Sequence, residues 1–210
     1  MAKLYFVRHG KTEWNLARKL QGKNGDSPLL EESYLETALL GERLKDISFA
    51  KIIVSPQKRA VLTAQTLIEE FNEVPPISYD AGLKEFGLGE LEGVLIESAI
   101  ERYPEQMHHL RNNPHEYDPE EFQGETYPEL IKRSSQVVNE AVAQHPNQDL
   151  LFVAHGMTLV TLIQTLSGKP LEQIRKAGGI DNSSLSIIEV SDAGYELILW
   201  NDTAHLDSFK

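Results

Sequence analysis

The apolar positions of the chain fall into two kinds of run. Leu4-Tyr5-Phe6-Val7, Ile52-Ile53-Val54 and Leu150-Leu151-Phe152-Val153-Ala154 are unbroken and rich in β-formers. Runs that are apolar on both faces predict strands buried in a sheet covered on both sides. Other apolar residues recur at helical spacing. Leu35, Leu39, Leu40 and Leu44 do so within 29–44, and Leu130, Ile131, Val137, Val138, Ala141 and Val142 within 126–144. Both stretches predict amphipathic helices. Ser55-Pro56 predicts the start of a further helix over 57–71, with Ser as the cap and Pro at the first helical position. Short helices are expected at 96–103 and 104–110 and a longer one at 157–166. Ile77-Ser78-Tyr79 reads as a short strand, and 184–190 with 196–200 as a hairpin turning near Asp192-Ala193-Gly194. Residues 15–28, 82–93 and 112–123 read as loops, and the last ten as a polar tail.

Alternating strands and helices predict an α/β fold, a three-layer α/β/α sandwich with a mainly parallel central sheet. A length of 210 residues suits one catalytic domain over 1–210. A helical and loop excursion at about 94–125 is expected to leave the sheet as a substrate wall or lid.

The predicted strands end in chemistry. Val7 is followed by Arg8-His9-Gly10, Ala154 by His155-Gly156, and the second strand leads into a helix whose first turn carries Lys58 and Arg59. Ligands of such sheets bind outside the carboxyl ends of the strands. If the three strands lie side by side, Arg8, His9, Arg59 and His155 meet at one edge. Cations near a helix amino end oppose its dipole, a conflict that marks Arg59 as a ligand-binding group, whereas Lys58 reads as solvated. Two arginines suit phosphate, because the planar guanidinium fork matches its oxygens. One histidine can then act as a nucleophile. Zinc is the competing idea. It is disfavoured because Arg8 would repel a dication and no carboxylate sits at ligand spacing from either histidine. The glycines of 82–93 match no phosphate-cradle spacing, and Glu90 and Glu92 would repel phosphate. That stretch is read as presenting a carboxylate. His108, His109 and His115 are expected to be exposed and non-catalytic.

The formal net charge of −12 argues against nucleic-acid and anionic-membrane partners, which need a basic face. The chain has no cysteine, which removes disulfides and thiolate chemistry. Met1-Ala2-Lys3 runs straight into a strand without the apolar core of a signal peptide, and no apolar run reaches membrane-spanning length. A soluble cytoplasmic protein is expected.

Several blocks in order complete the picture: Val7-Arg8-His9-Gly10 with Thr12-Glu13-Trp14-Asn15, Gln21-Gly22 with Asp26-Ser27-Pro28-Leu29, and Ser55-Pro56 with Lys58-Arg59-Ala60 and Thr63-Ala64. Glu85-Phe86-Gly87, Glu92-Gly93, Gly124-Glu125-Thr126 and Val153-Ala154-His155-Gly156 follow. With them the chain resembles the histidine phosphatase superfamily, also called phosphoglycerate mutase-like, over nearly its whole length. The resemblance implies the phosphoglycerate mutase-like fold and a phosphohistidine formed on His9. It implies that Arg8, Arg59 and His155 grip the phosphoryl group, with Asn15 and the Gly156 amide assisting. Glu85 would protonate the leaving oxygen and then help water attack. Gln21, Gly22 and the excursion would face the rest of the substrate, a small phosphomonoester. No cofactor and no metal are implied. The sequence departs from the family at Leu30 and Ser33, where Thr and Gly are frequent, and this bears on the local turn. Family mutases tend to be longer and to carry a basic tyrosine-glycine segment after the catalytic glutamate; here that segment is acidic. Such acidity favours a phosphatase over a phosphoglycerate mutase, the alternative. A non-catalytic phospholigand-binding module is the second alternative, disfavoured by the intact His9, Glu85 and His155. An edge strand near the carboxyl-terminal hairpin would support a homodimer.

Overall fold

The computed structural model describes residues 2–209; Met1 of the opening tripeptide and Lys210 of the closing tail lie outside them. The strands are β1 (Ala2–Arg8), β2 (Lys51–Val54), β3 (Ile77–Tyr79), β4 (Leu150–Ala154), β5 (Leu185–Ser191) and β6 (Gly194–Asp202). The helices are α1 (Glu13–Leu16), α2 (Glu31–Leu44), α3 (Lys58–Ile68), α4 (Ile96–Arg102), α5 (Pro104–Asn112), α6 (Tyr127–Gln144) and α7 (Gly156–Leu166).

One six-stranded sheet runs in the order β3-β2-β4-β1-β5-β6. The first four strands are mutually parallel, and β5 and β6 add on antiparallel. The three apolar runs of the sequence are therefore neighbours, with β4 between β1 and β2. Alternate side chains divide between two faces, as the period of a strand requires. Tyr5, Val7, Ile52, Val54, Leu151 and Val153 pack with Leu40 and Leu44 of α2 and Ala60, Ala64 and Leu67 of α3. Leu4, Phe6, Ile53, Leu150 and Phe152 pack with Val137 and Val138 of α6 and Leu159 and Ile163 of α7. Each large apolar side chain so enclosed contributes roughly 1.5–3 kcal/mol. The strand ends are thus held rigidly by a core on both sides.

A third apolar cluster lies outside the sheet. Phe86, Leu88, Leu91, Ala99, Met107, Leu110, Tyr117, Phe122, Tyr127 and Leu130 form it, closed by Ile174. The excursion is therefore anchored by its own core.

Three local expectations need correction. Pro56 does not open α3. The helix starts at Lys58 after Gln57, which makes no side-chain cap; the Ser55 hydroxyl receives Gln57 N at 3.4 Å and meets His155 Nε2 at 2.7 Å. The helix also ends at Ile68, before Phe71. The closing residues are not a simple tail. β6 continues to Asp202, which pairs with Arg43 of α2, and a 3-10 turn follows at Ala204–Phe209. His109 is half-buried beside Glu116 and not fully exposed. The turn around Leu30 and Ser33 is intact: the Lys11 carbonyl accepts from Leu30 N and Ser33 Oγ. Among the described residues no helix is long and apolar enough to cross a membrane.

Candidate active site

β1 and β4 pair in a register that places Arg8 against Ala154, so His9 and His155 follow side by side at the same sheet edge. Their ring centroids are 5.1 Å apart. α3, entered from β2, brings Arg59 to the same place.

The hydrogen bonds assign each ring a state. His9 Nδ1 lies 2.7 Å from the Gly10 carbonyl. A carbonyl can only accept, so Nδ1 carries the hydrogen and Nε2 keeps a lone pair. Arg59 Nε donates to His155 Nδ1 at 3.2 Å. A guanidinium can only donate, so the His155 hydrogen is on Nε2, which lies 2.7 Å from Ser55 Oγ. Burial, then the Arg59 and Arg8 charges, push His9 well below the ordinary imidazole range. Burial and Arg59 do the same to His155. Both rings are neutral at physiological pH.

Arg59 is 1% exposed, an unusual place for a charge. Its surroundings explain it. Nη1 donates to the Gly25 carbonyl and Asp26 Oδ1, at 2.8 and 3.0 Å, and Nη2 donates to the Gly22 carbonyl. With the bond to His155, four of the five guanidinium hydrogens are engaged. One N–H remains for a ligand. Lys58 is exposed, as expected of a solvated residue. The Thr63 hydroxyl donates to the Arg59 carbonyl and accepts from Gly10 N, linking α3 to the loop after β1.

Arg8 Nη1 donates to the Ile180 carbonyl at 2.5 Å. Its Nε is buried without a partner. A Cβ on Gly156 would stand 3.2 Å from that atom, so glycine there leaves room for the guanidinium to cross the start of α7. A half-buried cation with a buried, unmet donor beside two imidazoles suits an anion.

Glu85 is buried opposite. Oε1 accepts from Phe86 N, Thr158 N and Thr158 Oγ1, and Oε2 only from Met157 N at 3.2 Å. Oε2 is therefore the less engaged of the two carboxylate oxygens. Arg133 donates to the carbonyls of Gly82, Lys84 and Glu85 and grips Glu125 with two nitrogens. Burial pushes the Glu125 carboxyl up, but the Arg133 bonds and charge outweigh it and hold it below its usual range.

Asn15 belongs to the capping box of α1, where its Oδ1 accepts from Thr12 N and its own N–H donates to Thr12 Oγ1. Gln21 accepts from Thr12 Oγ1 and donates to Ser27 Oγ. Gly22 is buried, and its carbonyl serves Gln57 and Arg59. Gly22 thus supports the guanidinium from behind, while Gln21 braces the loop between Thr12 and Ser27. The acidity expected of Glu92 beside a substrate is not there, since its carboxylate is turned onto the backbone amides of residues 23–25. Asn182, unremarked in the sequence, donates to the His9 carbonyl.

Comparison with known proteins agrees with this geometry. Residues 4–203 match the histidine phosphatase superfamily (branch 1). The chain is 34% identical to the uncharacterized phosphatase PhoE of Bacillus subtilis, covering 100% of this chain and 99% of that one. It is 31% identical to the probable phosphoglycerate mutase GpmB of Yersinia pestis, over 99% of this chain and 96% of the other. The solved structure of Bacillus stearothermophilus YhfR superposes with a TM-score of 0.91 at 31% identity, covering 99% and 100% of the two chains. The chain belongs to the histidine phosphatase superfamily, and it is a phosphatase-type enzyme.

Proposed function

We propose that the protein hydrolyses small phosphomonoesters through a phosphohistidine on His9, without a metal ion. The observation that carries this reading is the His9 tautomer: a neutral imidazole whose Nε2 lone pair is unengaged, beside an Arg8 guanidinium with an unmet donor. Nε2 attacks phosphorus while the bond from phosphorus to the ester oxygen breaks. Glu85, protonated on Oε2, gives its proton to the departing alkoxide. Water then attacks phosphorus, Glu85 takes a proton from it, and the phosphorus–nitrogen bond breaks to release phosphate. Such transfers depend chiefly on positioning and charge stabilisation, which Arg8, the free Arg59 N–H and His155 supply, with Asn15 and the Gly156 amide at the margin. The excursion over 94–125, held by its own apolar cluster, forms a wall against the rest of the substrate.

A phosphoglycerate mutase is the second reading, favoured by the likeness to GpmB. It would use the same groups. Hydrolysis fits better because the segment after Glu85 has no basic residue through Gly93, and a phosphoglycerate needs cations for its second anionic group. The test is turnover of a chromogenic monoester and of 3-phosphoglycerate with its bisphosphate primer, both in chelator. Metal-independent phosphate release is expected. Isomerisation without release would establish the mutase instead.

A further inference from the structure

The geometry points to Glu92 as a positioning residue of the phosphoryl site: an internal anion that folds the loop on which Arg59 rests and ties that loop to the Glu85 segment. This inference rests on the phosphatase reading above and concerns a residue outside the catalytic set. Glu92 Oε1 accepts from Lys23 N at 3.0 Å and from Leu88 N at 3.3 Å. Oε2 accepts from Asn24 N at 2.9 Å and Gly25 N at 2.6 Å. Three successive amides converging on one carboxylate form a nest of the kind that binds anions. Here the protein fills the nest itself.

The nest governs where the neighbouring carbonyls point. The Lys23 amide shares its peptide plane with the Gly22 carbonyl, so when Lys23 N faces Glu92 that carbonyl faces the other way and receives Arg59; the Gly25 carbonyl, in the next peptide beyond the nest, receives Arg59 as well. Arg59 in turn fixes Nδ1 of His155. The Leu88 bond attaches the same carboxylate to the segment that follows Glu85. Gln57 makes a second tie, since its Nε2 donates to the Gly22 carbonyl and its Oε1 accepts from Glu85 N at 2.7 Å. The spacing between phosphate clamp and proton donor is thus set twice, once by Gln57 and once by Glu92. Room for the carboxylate is built in. A Cβ on Gly22 would stand 2.5 Å from Oε1, and Cβ atoms on Gly25 and Gly93 would meet Trp14 at 2.8 and 3.1 Å. Three glycines and one indole therefore shape the socket. A carboxylate that merely braced a surface loop would not be connected, through the Gly22–Lys23 peptide, to the buried arginine.

The test is Glu92→Ala in the full chain, read by calorimetric binding of inorganic phosphate and by turnover of a chromogenic monoester. Each is measured with sodium formate and with sodium chloride at the same ionic strength. Losing several hydrogen bonds to a charged group predicts phosphate affinity weaker by about tenfold or more. Formate, a carboxylate small enough for the emptied socket, is expected to restore affinity and kcat/KM, and chloride is not. Wild-type phosphate affinity in Glu92→Ala overturns the inference, as does a loss that formate leaves unchanged in a protein melting at the wild-type temperature. If Glu92→Ala does not fold, Glu92→Gln keeps the shape and loses the charge, and unchanged phosphate affinity there overturns the inference equally. Failure of the phosphatase reading looks different: wild-type protein itself would neither bind phosphate nor turn over the monoester.

Discussion

At the end of β1, His9 gives its Nδ1 hydrogen to the carbonyl of the next residue and leaves Nε2 bare. At the end of β4, His155 receives Arg59 on Nδ1 and spends its Nε2 hydrogen on Ser55. Both strands are apolar, both lead into His-Gly, and both rings are buried among the same cations. Their neighbours nonetheless assign them opposite tautomers. The histidine with an open lone pair can form a bond to phosphorus. The one engaged at both nitrogens serves as a fixed, polar wall that turns a donor toward the site only when its partners yield. Role here follows from the hydrogen bond on the far nitrogen, not from residue type or burial.

Substituting each histidine in turn separates the two most sharply. His9→Ala is expected to lower turnover on the order of 10³-fold or more, as loss of a nucleophile does, and to abolish the acid-labile phosphoenzyme. His155→Ala should cost on the order of 10²-fold, like removal of one charge-stabilising group, and still trap phosphate on His9. A phosphoenzyme in His9→Ala, seen by rapid quench with labelled substrate, would reverse the assignment.

The proposed proton donor, Glu85, belongs to the β4 side of this comparison, because Met157 and Thr158 of α7 hold its carboxylate. Glu85→Gln should slow esters with poor leaving groups by about 10²-fold and aryl esters of low pKa far less. A uniform loss across a leaving-group series would remove Glu85 as the acid.

The smallest effect is on stability. His9 and His155 are depressed in the folded protein from 6.5, the value expected in the unfolded chain. The unfolded chain therefore binds more protons below that pH. Stability is fully present above about pH 6.5 and falls as pH drops toward the folded values, by up to about 1.4 kcal/mol per pH unit for each histidine. Urea unfolding at a series of pH values should show a shallower acid decline in His9→Ala than in wild type. Identical slopes would mean that His9 is protonated in the native state.

The meeting of Arg8, His9, Arg59 and His155 was legible because three unbroken apolar runs each ended in a cation or imidazole, and parallel neighbours bring their ends together. The dipole conflict at Arg59 marked a residue with an unusual setting: it is buried, and four of its hydrogens go to protein acceptors. What could not be read was direction. Ser55 had the look of a helix cap, yet its hydroxyl was claimed by a histidine 100 residues away. Gln21, Gly22 and Glu92 sit in blocks typical of the family, but sequence does not say whether a carbonyl or carboxylate faces ligand or loop. Arg133 and Asn182 act through backbone carbonyls, and nothing in a helix pattern or a polar turn announces that. A strand at 196–200 was foreseen, whereas its extension over Gly194–Asp202 and the turn beyond it were not, because partners distant in sequence, such as Arg43 of α2 for Asp202, hold that end.

β1 is made before the strands that complete it. Its partners are β4, which begins at Leu150, and antiparallel β5, which begins at Leu185. The turn before β5 delivers the Ile180 carbonyl to Arg8 and Asn182 to the His9 carbonyl. The strand that leads to His9 must therefore wait, unpaired and apolar, until its later partners have left the ribosome. Pairings so distant in sequence slow folding and leave a sticky edge exposed meanwhile. Activity should thus be the last property gained during refolding, after the helices and the 86–130 cluster have formed.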